Sequence, residues 1–361
     1  MSKYLSAKYQ SLVAYTPGEQ PRDMRYVKLN TNESPYPPAP GVVEATAAEA
    51  GRLQLYSDPV CADLRDALAK RYGVKRENLF VSNGSDDILN FAFMAFAGGD
   101  VPAFFPDISY GFYPVYAALH GIEAHPVPLK DDFSIDPADY LDCGGFIAIA
   151  NPNAPTGMAL TCAQIEDILR TNRDHVVLID EAYVDFGAES CLPLVDAYDN
   201  LLVVRTYSKS RSLAGARLGF AIAQPGLIAD LERIQYSTNP YSVNRMTHAA
   251  GIASLAADAY NAENCRRIAA TRARTVERLT AMGFEVLPSL ANFVFARKPG
   301  VDGNQLYLEL KRRGVLVRHF TAPRIADFLR ITIGTDAEME VLFVKIGEVF
   351  AELSVGSQAF G

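Results

Sequence analysis

The sequence of 361 residues predicts an α/β fold. We expect a large domain with a mostly parallel sheet covered by helices on both faces, plus a smaller α+β domain. Three runs, Phe146–Ala150, Val176–Asp180 and Leu201–Arg205, are apolar almost throughout. Continuous rather than alternating apolarity is typical of strands buried on both faces of a sheet. Helical patterns separate these runs, and this alternation predicts a doubly wound sheet.

The other elements of the large domain follow the same logic. Leu79–Ser82 predicts an earlier strand, and Thr161–Arg170 predicts a crossover helix. Thr161 is the expected N-cap of that helix, and Gln164 three residues later completes a capping-box pattern. Residues 242–282 contain no proline, so they predict one or two helices leading out of the sheet.

The C-terminal third predicts a smaller unit in which short strands mix with helices. The predicted strands are Phe284–Leu287, Asn292–Arg297, Val315–Arg318 and Phe328–Ile333, and the predicted helices are 303–313 and 336–353. The predicted organisation is an N-terminal arm of residues 1–35 that packs on the small domain and the site, a large domain of residues 36–245 and a small domain of residues 246–361.

Composition narrows the possible classes of protein. Hydrophobic residues make up 49% of the chain, which allows a sizeable core. The net charge of −8 and the scattered basic residues argue against nucleic acid or an anionic membrane as a partner. The five cysteines contain no Cys-x-x-Cys pair, so we expect reduced thiols in a cytoplasmic protein and no metal site. We also expect no secretory signal and no membrane span.

The tract around Lys209 suits an amine that forms a Schiff base beside a phosphate. Thr206 and Ser208 place hydroxyls next to the lysine, and Arg217 follows eight residues later. A lysine must lose its proton to attack an aldehyde, and burial beside a cation lowers its pKa. An isolated loop lysine is usually a solvated charge, but the flanking residues favour the chemical interpretation.

Asp180 and Tyr183 follow an apolar strand upstream of that lysine. A buried carboxylate is costly unless it has a partner, and a protonated pyridine nitrogen would be such a partner. Tyr183 would then hydrogen-bond a neighbouring ring oxygen. The alternatives are an acid that caps the next helix and a tyrosine at an interface. With Lys209, these residues indicate pyridoxal 5′-phosphate (PLP) as the cofactor and the large domain as its binding domain.

Residues 83–87 and the arginines of the C-terminal third are open to two interpretations each. Residues 83–87, Asn-Gly-Ser-Asp-Asp, predict either an anion site at a helix N-terminus or an ordinary helix cap. Residues 151–157 predict a rigid loop after a buried strand. Arg330 interrupts an apolar strand, so it needs an anion, which is either a substrate carboxylate or phosphate or the acid of a structural salt bridge. Arg318 raises the same question.

Over nearly its whole length the chain resembles the fold-type I PLP-dependent aminotransferases, the aspartate aminotransferase-like group. The motifs that carry the resemblance are 29–35, 56–59, 83–86, 151–157, 180–186, 206–219 and 329–332. The tract around Lys209 is typical of the fold type. The Asp-Glu-Ala-Tyr-x-Asp-Phe string and the Asn-Gly-Ser-Asp turn favour the branch that acts on L-histidinol phosphate.

The resemblance implies a role for each cofactor contact. Lys209 forms the Schiff base and moves the proton between substrate and cofactor carbons, Asp180 pairs with the pyridine nitrogen, and Tyr183 pairs with the 3′ oxygen. The other implied contacts are the stacking Tyr110, the phosphate ligands Ser85, Asp86, Thr206, Ser208 and Arg217, and Tyr56, which reaches the phosphate from the neighbouring subunit. A homodimer with shared active sites is therefore expected.

The same resemblance implies the substrates. Arg330 would bind the carboxylate of glutamate in one half-reaction and the substrate phosphate in the other, with Arg318, Tyr15 and Asn32 as further contacts. The expected reaction converts L-histidinol phosphate and 2-oxoglutarate to imidazole acetol phosphate and L-glutamate. The alternatives are an aromatic amino acid transaminase, a PLP lyase resembling threonine-phosphate decarboxylase, and a PLP-sensing regulator module, which the absence of a basic or helix-turn-helix segment disfavours.

Two positions depart from the family pattern. The family loop commonly reads Asn-Pro-x-Asn-Pro-Thr-Gly, and its second asparagine contacts the 3′ oxygen. Ala154 occupies that position here, so either Asn153 takes over the role or Tyr183 acts alone. Asp107 replaces a more usual proline or small residue before the stacking tyrosine, which leaves the shape of that loop open.

Overall fold

The computed structural model describes residues 2–358, of which 353–358 are described by their helical backbone only. Within this range the strands are β1 Val27–Lys28, β2 Leu79–Ser82, β3 Ala103–Pro106, β4 Ala124–Val127, β5 Phe146–Ala150, β6 Val177–Asp180, β7 Leu201–Thr206, β8 Gly219–Ala223, β9 Glu285–Val286, β10 Phe293–Arg297, β11 Val315–Leu316, β12 Arg318–His319 and β13 Phe328–Thr332.

The helices alternate with these strands in the first two thirds of the chain. In the described residues they are α1 Val42–Ala50, α2 Ala62–Tyr72, α3 Ser85–Phe96, α4 Tyr113–His120, α5 Cys162–Thr171, α6 Pro225–Thr238, α7 Arg245–Ala256, α8 Asp258–Ala281, α9 Gly303–Arg312 and α10 Asp336–Gln358. Helix α5 begins with the predicted capping box, in which Thr161 accepts from the backbone of Gln164 and the Gln164 side chain accepts in return.

A seven-stranded sheet with the order β2-β8-β7-β6-β5-β3-β4 forms the centre of the described chain. Strand β8 is antiparallel to both of its neighbours, whereas the pairings from β7 through β4 are parallel. Separate groups of buried apolar side chains cover the two faces. This arrangement confirms the predicted α/β fold with a mostly parallel sheet, and it brings the carboxyl ends of β5, β6 and β7 to one edge.

A smaller unit contains the second sheet, with the antiparallel order β12-β13-β10-β9. Helices α9 and α10 and the later part of α8 share a buried core with this sheet. Strand β1 of the N-terminal arm pairs in parallel with β11, so the arm packs on the small unit. The part of the arm that precedes β1 reaches the large unit, where Tyr15 stacks on Phe112.

Helix α7 modifies the predicted domain boundary at residue 245. It packs against α1 and α2, and it therefore belongs with the large sheet rather than with the small unit. The packing favours a division within α8, whose first residue Asp258 pairs with Arg211 of the large unit and whose Cys265, Ile268 and Leu279 lie in the small core. Among the described helices, none is both long enough and apolar enough for a membrane span.

Candidate active site

Polar side chains from five segments converge on a cavity of about 470 Å³ at the carboxyl edge of the large sheet. Such an edge is where ligands bind in open α/β sheets. The cavity is lined by Gln20, Thr31, Glu33, Ser85, Asp86, Tyr110, Ala150, Ala154, Asp180, Ala182, Tyr183, Thr206, Ser208, Lys209, Ala214, Gly215 and Arg217. The structure thus brings together nine predicted site residues from distant parts of the sequence.

The N-terminus of α3 forms one wall of the cavity. Gly84 is the N-cap residue, and it provides no side-chain cap, in contrast to the predicted capping by Ser85 or Asp86. Its φ of 83° favours glycine, and an added Cβ would lie 2.7 Å from a guanidinium nitrogen of Arg217. An added Cβ on Gly219 would lie 2.4 Å from the amide nitrogen of Ser85. Free amides and a guanidinium therefore meet at a helix N-terminus, an arrangement that binds anions.

The carboxylate of Asp86 connects two of the predicted cofactor contacts. One of its oxygens accepts from an Arg217 nitrogen at 2.8 Å, and the other accepts from the Tyr110 hydroxyl at 2.6 Å. Across the loop from Arg217, Thr206 Oγ1 lies 3.0 Å from Ser208 Oγ, and it also accepts from the Ser208 amide. Hydroxyls, amides and one guanidinium therefore surround the same end of the cavity.

The amine of Lys209 faces the middle of the cavity. Its Nζ donates to the carbonyl oxygen of Thr31 at 3.2 Å. Burial, followed by the positive charge of Arg330, lowers the pKa of Lys209 to about 8. At pH 7.5 a pKa of about 8 leaves about a quarter of the amine neutral, whereas an ordinary lysine leaves about one part in a thousand. Lys209 is therefore prepared for nucleophilic attack near neutral pH.

Asp180 ends β6 on the opposite side of the cavity from α3. Its Oδ1 accepts from the backbone N–H of Ala182 at 3.1 Å, and no described cation forms a salt bridge with it. Burial raises the pKa of Asp180 to about 7, against the opposing effect of that hydrogen bond. An ionised carboxylate here lacks a cationic partner among the described side chains, so the site is suited to a ligand with a positively charged ring nitrogen.

Tyr183 lines the same cavity, and a buried contact holds its hydroxyl. Asn32 Nδ2 donates to the Tyr183 oxygen at 2.9 Å, and the Tyr183 ring packs edge-on against Phe293. Asn32 itself is 1% exposed and does not line the cavity. The predicted role of Asn32 as a substrate contact stays a prediction, and in this structure its polar atoms bind Thr332, Tyr183 and Asn292.

Arg330 and Arg318 lie side by side on neighbouring strands of the small sheet. They are Cα partners in the β12–β13 register, and neither forms a salt bridge with a described carboxylate. Arg330 is half-buried, and one of its nitrogens donates to Asn30 O at 3.1 Å while its Nε has no partner in the described structure. The structural salt bridge considered for Arg330 is therefore absent from the described residues.

Arg318 holds the N-terminal arm over the site. Its guanidinium donates to the carbonyls of Thr16 and Pro17, both at 3.1 Å. The preceding Tyr15 stacks on Phe112 with ring centroids 4.0 Å apart, close to Tyr110. Burial raises the pKa of Tyr15, while Arg318 and Arg330 oppose that effect. Tyr15 therefore lies near both arginines, and Arg330 is near the Lys209 amine, although these three predicted substrate contacts do not themselves line the cavity.

Two predicted cofactor contacts lie outside the cavity. Asn153 is buried, but its amide donates to Ile108 O and its Oδ1 accepts from Ser109, so its side chain points away from the site. The hypothesis that Asn153 replaces the missing loop asparagine stays a prediction, and its side chain has other partners in this structure. Tyr56 is 80% exposed and stacks on Tyr241, and it does not reach the cavity of its own chain.

The structure adds residues that the sequence did not single out. Gln20, Thr31 and Glu33 line the cavity from the N-terminal arm, and Glu33 is held by Lys28 at 2.6 Å. The contact of the Thr31 backbone carbonyl with Lys209 could not be predicted from residue types, whereas Glu33 lies within a motif that carried the family resemblance. Asp107, the other departure from the family pattern, binds the amide of Leu129 and reaches Arg324 of the small unit.

Comparison with known proteins identifies the class. A family model described as aminotransferase class I and II matches residues 25–346, and the chain belongs to this family. More particularly, the chain is 52% identical over 347 residues to the histidinol-phosphate aminotransferase of Marinomonas sp. (strain MWYL1), covering 95% of this chain and 98% of that protein. It is also 52% identical over 355 residues to histidinol-phosphate aminotransferase 1 of Bordetella parapertussis, covering 97% and 100%.

A solved structure agrees with this relationship. Histidinol-phosphate aminotransferase from Sinorhizobium meliloti, crystallised in complex with pyridoxal-5′-phosphate, superposes with a TM-score of 0.88 at 26% sequence identity. The superposition covers 98% of this chain and 99% of that chain. The predicted family is thereby confirmed.

Proposed function

We propose that the protein is a PLP-dependent transaminase that transfers the amino group of L-histidinol phosphate to 2-oxoglutarate, yielding imidazole acetol phosphate and L-glutamate. The observation that carries the proposal is one cavity that holds both the Lys209 amine and the unpaired Asp180 carboxyl. The identity of about half of all residues to histidinol-phosphate aminotransferases supports the choice of substrate.

The chain's own residues fit the cofactor. Asp180 offers a buried carboxylate that needs a cation, and Lys209 offers an amine with a pKa of about 8. The uncapped N-terminus of α3, with Arg217 and Ser208 beside it, suits the phosphate. When bound, PLP supplies an electron-deficient ring that accepts the electron pair released at the substrate carbon bearing the amino group.

The remaining residues bind substrate and move the proton. Lys209 Nζ is the base in the cavity that can take the proton from the substrate carbon and return it. Arg330 and Arg318 form an anion site for the substrate phosphate or for the carboxylates of 2-oxoglutarate and glutamate, because two guanidiniums without carboxylate partners favour an anion. Tyr15 and Gln20, on the arm held by Arg318, limit the access of water from the open side.

The first experiment tests the reaction itself. The purified protein with PLP should convert L-histidinol phosphate and 2-oxoglutarate to L-glutamate, while Arg330→Gln should lower kcat/KM for both substrates by about 10²- to 10³-fold, as expected for a lost charged contact. Arg297→Gln is a matched control, because Arg297 is a half-exposed arginine on β10 paired with Glu285. Release of carbon dioxide from a phosphorylated amino acid without glutamate formation would contradict transamination.

The proposal includes a homodimer with shared sites. Tyr56 is exposed in the single chain, and exposed apolar side chains surround it: Leu53, Leu55, Val60 and Tyr241. Exposed apolar side chains grouped in this way are typical of a subunit interface. We therefore expect the hydroxyl of Tyr56 to reach the cavity of the neighbouring subunit. A cytoplasmic location is also part of the proposal, and the five unpaired cysteines support it.

Mixing two inactive variants tests the shared site. Lys209→Ala homodimers should turn over poorly. Tyr56→Phe homodimers should bind PLP about 10-fold more weakly, because one hydrogen bond to a charged group is lost. After the two are unfolded and refolded together, hybrid dimers should recover one site with both wild-type residues. Mixtures that behave as the average of their parents, or a monomer in sedimentation, would contradict the shared site.

A further inference from the structure

We propose that Asn32 is a positioning residue that holds the Tyr183 hydroxyl as a hydrogen-bond donor towards the cofactor, in place of the asparagine that the loop at Ala154 lacks. The inference rests on the proposed function, since it assumes that Tyr183 faces the ring oxygen of PLP. It concerns a contact between the N-terminal arm and the large domain that joins residues 151 positions apart in the chain.

The position of Asn32 is fixed by the small unit. Its backbone N–H donates to Thr332 Oγ1 at 3.0 Å, and its carbonyl accepts from the side chain of Asn292 at 2.9 Å. Its φ is 56°, a left-handed conformation that asparagine tolerates better than most residues. Three contacts on a buried residue leave its amide little freedom to rotate away from Tyr183.

The contacts of Thr332 also set the orientation of the amide. Because the Thr332 hydroxyl accepts from the Asn32 backbone, its own hydrogen is available for Asn32 Oδ1, which lies at 3.0 Å. The NH₂ group of Asn32 therefore points to the Tyr183 oxygen at 2.9 Å. As the acceptor in this bond, Tyr183 keeps its hydroxyl hydrogen, which has no described acceptor within the protein.

The other side chains near this edge of the cavity cannot replace Asn32. Ala154 lines the cavity with a methyl group, and the amide of Asn153 is occupied by Ile108 and Thr156 on the far side of the loop. In the described structure Asn32 is thus the side chain that donates to Tyr183. Burial raises the pKa of Tyr183, so the phenol keeps its proton, and Arg330 and the Asn32 contact offset only part of that effect.

This contact also connects the two ligand-binding parts of the site. Arg330 and Thr332 both lie on β13, two residues apart, and Thr332 holds Asn32. Hydrogen bonds run from Thr332 through Asn32 to Tyr183, and Arg330 lies on the same strand as Thr332. A change in Asn32 should therefore alter the electronic state of the bound cofactor and not only its affinity.

A double-mutant cycle read from the visible absorbance of the bound cofactor tests the inference. The pH midpoint of that absorbance is measured for wild type, Asn32→Gly, Tyr183→Phe and the double variant, since glycine tolerates the φ of Asn32. A donor to the ring oxygen favours its anionic form, so Asn32→Gly should raise the midpoint by about 0.5 to 1 pH unit, the effect of one ordinary hydrogen bond. In the Tyr183→Phe background the same change should have little effect.

The control separates positioning from stability. Asn200→Ala removes another buried asparagine, which directly precedes β7 and lies at the end of that strand away from the cavity. It should lower the unfolding temperature without moving the pH midpoint of the cofactor absorbance. An unchanged midpoint in Asn32→Gly, or an equal shift with and without Tyr183, would overturn the role of Asn32. A wild-type protein without cofactor absorbance would instead overturn the proposed function. If the glycine variant does not fold, Thr332→Val replaces it in the cycle.

Discussion

Replacement of Lys209 by alanine should abolish turnover, with kcat reduced by at least about 10⁴-fold, because one side chain supplies both the covalent link and the proton transfer. The loss should not be a folding defect. Lys209 makes one hydrogen bond, to Thr31 O, and burial already disfavours its charged form. Removal of a partly desolvated ammonium group should leave the unfolding temperature unchanged or slightly higher.

The same variant should still bind PLP without a covalent bond. Arg217, the α3 N-terminus and Asp180 remain in place, so the cofactor should co-purify in part and be lost on dialysis. Borohydride treatment followed by mass spectrometry of peptides should label Lys209 in the wild type and no residue in the variant. Lys345→Ala on α10 is the matched control, because Lys345 pairs with Glu348 far from the cavity and should leave turnover intact. Turnover above about 1% in Lys209→Ala would contradict the assigned base.

Much of the large domain could be predicted because its strands are buried on both faces. β5, β6 and β7 are apolar runs, and the polar residues that follow them predicted the edge of the sheet at which the site lies. β4 was not predicted, since Ala124–Val127 contains a proline and lies exposed at the sheet edge. β8 was also not predicted, because Gly219–Ala223 follows directly on the lysine tract and returns antiparallel.

Contacts in the site were harder to predict than residue identities. Lys209, Asp180, Tyr183 and Arg217 were found because their chemistry is unusual in its local setting. The direction of a loop side chain depends on backbone angles that the sequence does not reveal, and for this reason the sequence could not show that Asn153 binds Ile108 O. Likewise, Asn32 contacts Tyr183 only because β1 pairs with β11, a long-range pairing of two residues per strand without a sequence signal.

The second large effect concerns Asp180, whose replacement by asparagine should separate stability from activity. Asparagine keeps the shape and the acceptor for the Ala182 amide but cannot carry a negative charge. The charge that holds a cationic ring nitrogen would be lost, so PLP affinity should fall and kcat should drop by about 10³-fold, as for the loss of a major electrostatic contact in an active site. Stopped-flow measurement of the first half-reaction checks this value.

The cofactor-free protein should respond in the opposite direction. The pKa of Asp180 is about 7 in the folded chain, above the ordinary aspartate value of 3.8, because the carboxyl is buried. The folded state therefore binds the proton more tightly than the unfolded state, and this group costs stability as pH rises from about 4 to about 7. Asp180→Asn removes that cost, so at pH 8 the free energy of unfolding of the variant apoprotein should exceed that of wild type by a few kcal/mol at most. The variant apoprotein should therefore unfold at a higher temperature.

The pH dependence provides the decisive comparison for Asp180. At pH 5 the carboxyl is protonated in the folded chain but mostly ionised in the unfolded chain, so only part of the cost is present and the stability difference between wild type and Asp180→Asn should be clearly smaller than at pH 8. Adding PLP at pH 8 should reverse the order, because the wild-type carboxylate then gains its cation and the variant does not. Thermal unfolding of both proteins at the two pH values, with and without PLP, measures all four differences. The contrary result is a stability difference between variant apoprotein and wild type that becomes less favourable to the variant from pH 5 to pH 8. That result would show that Asp180 already has a partner and does not await the ring nitrogen.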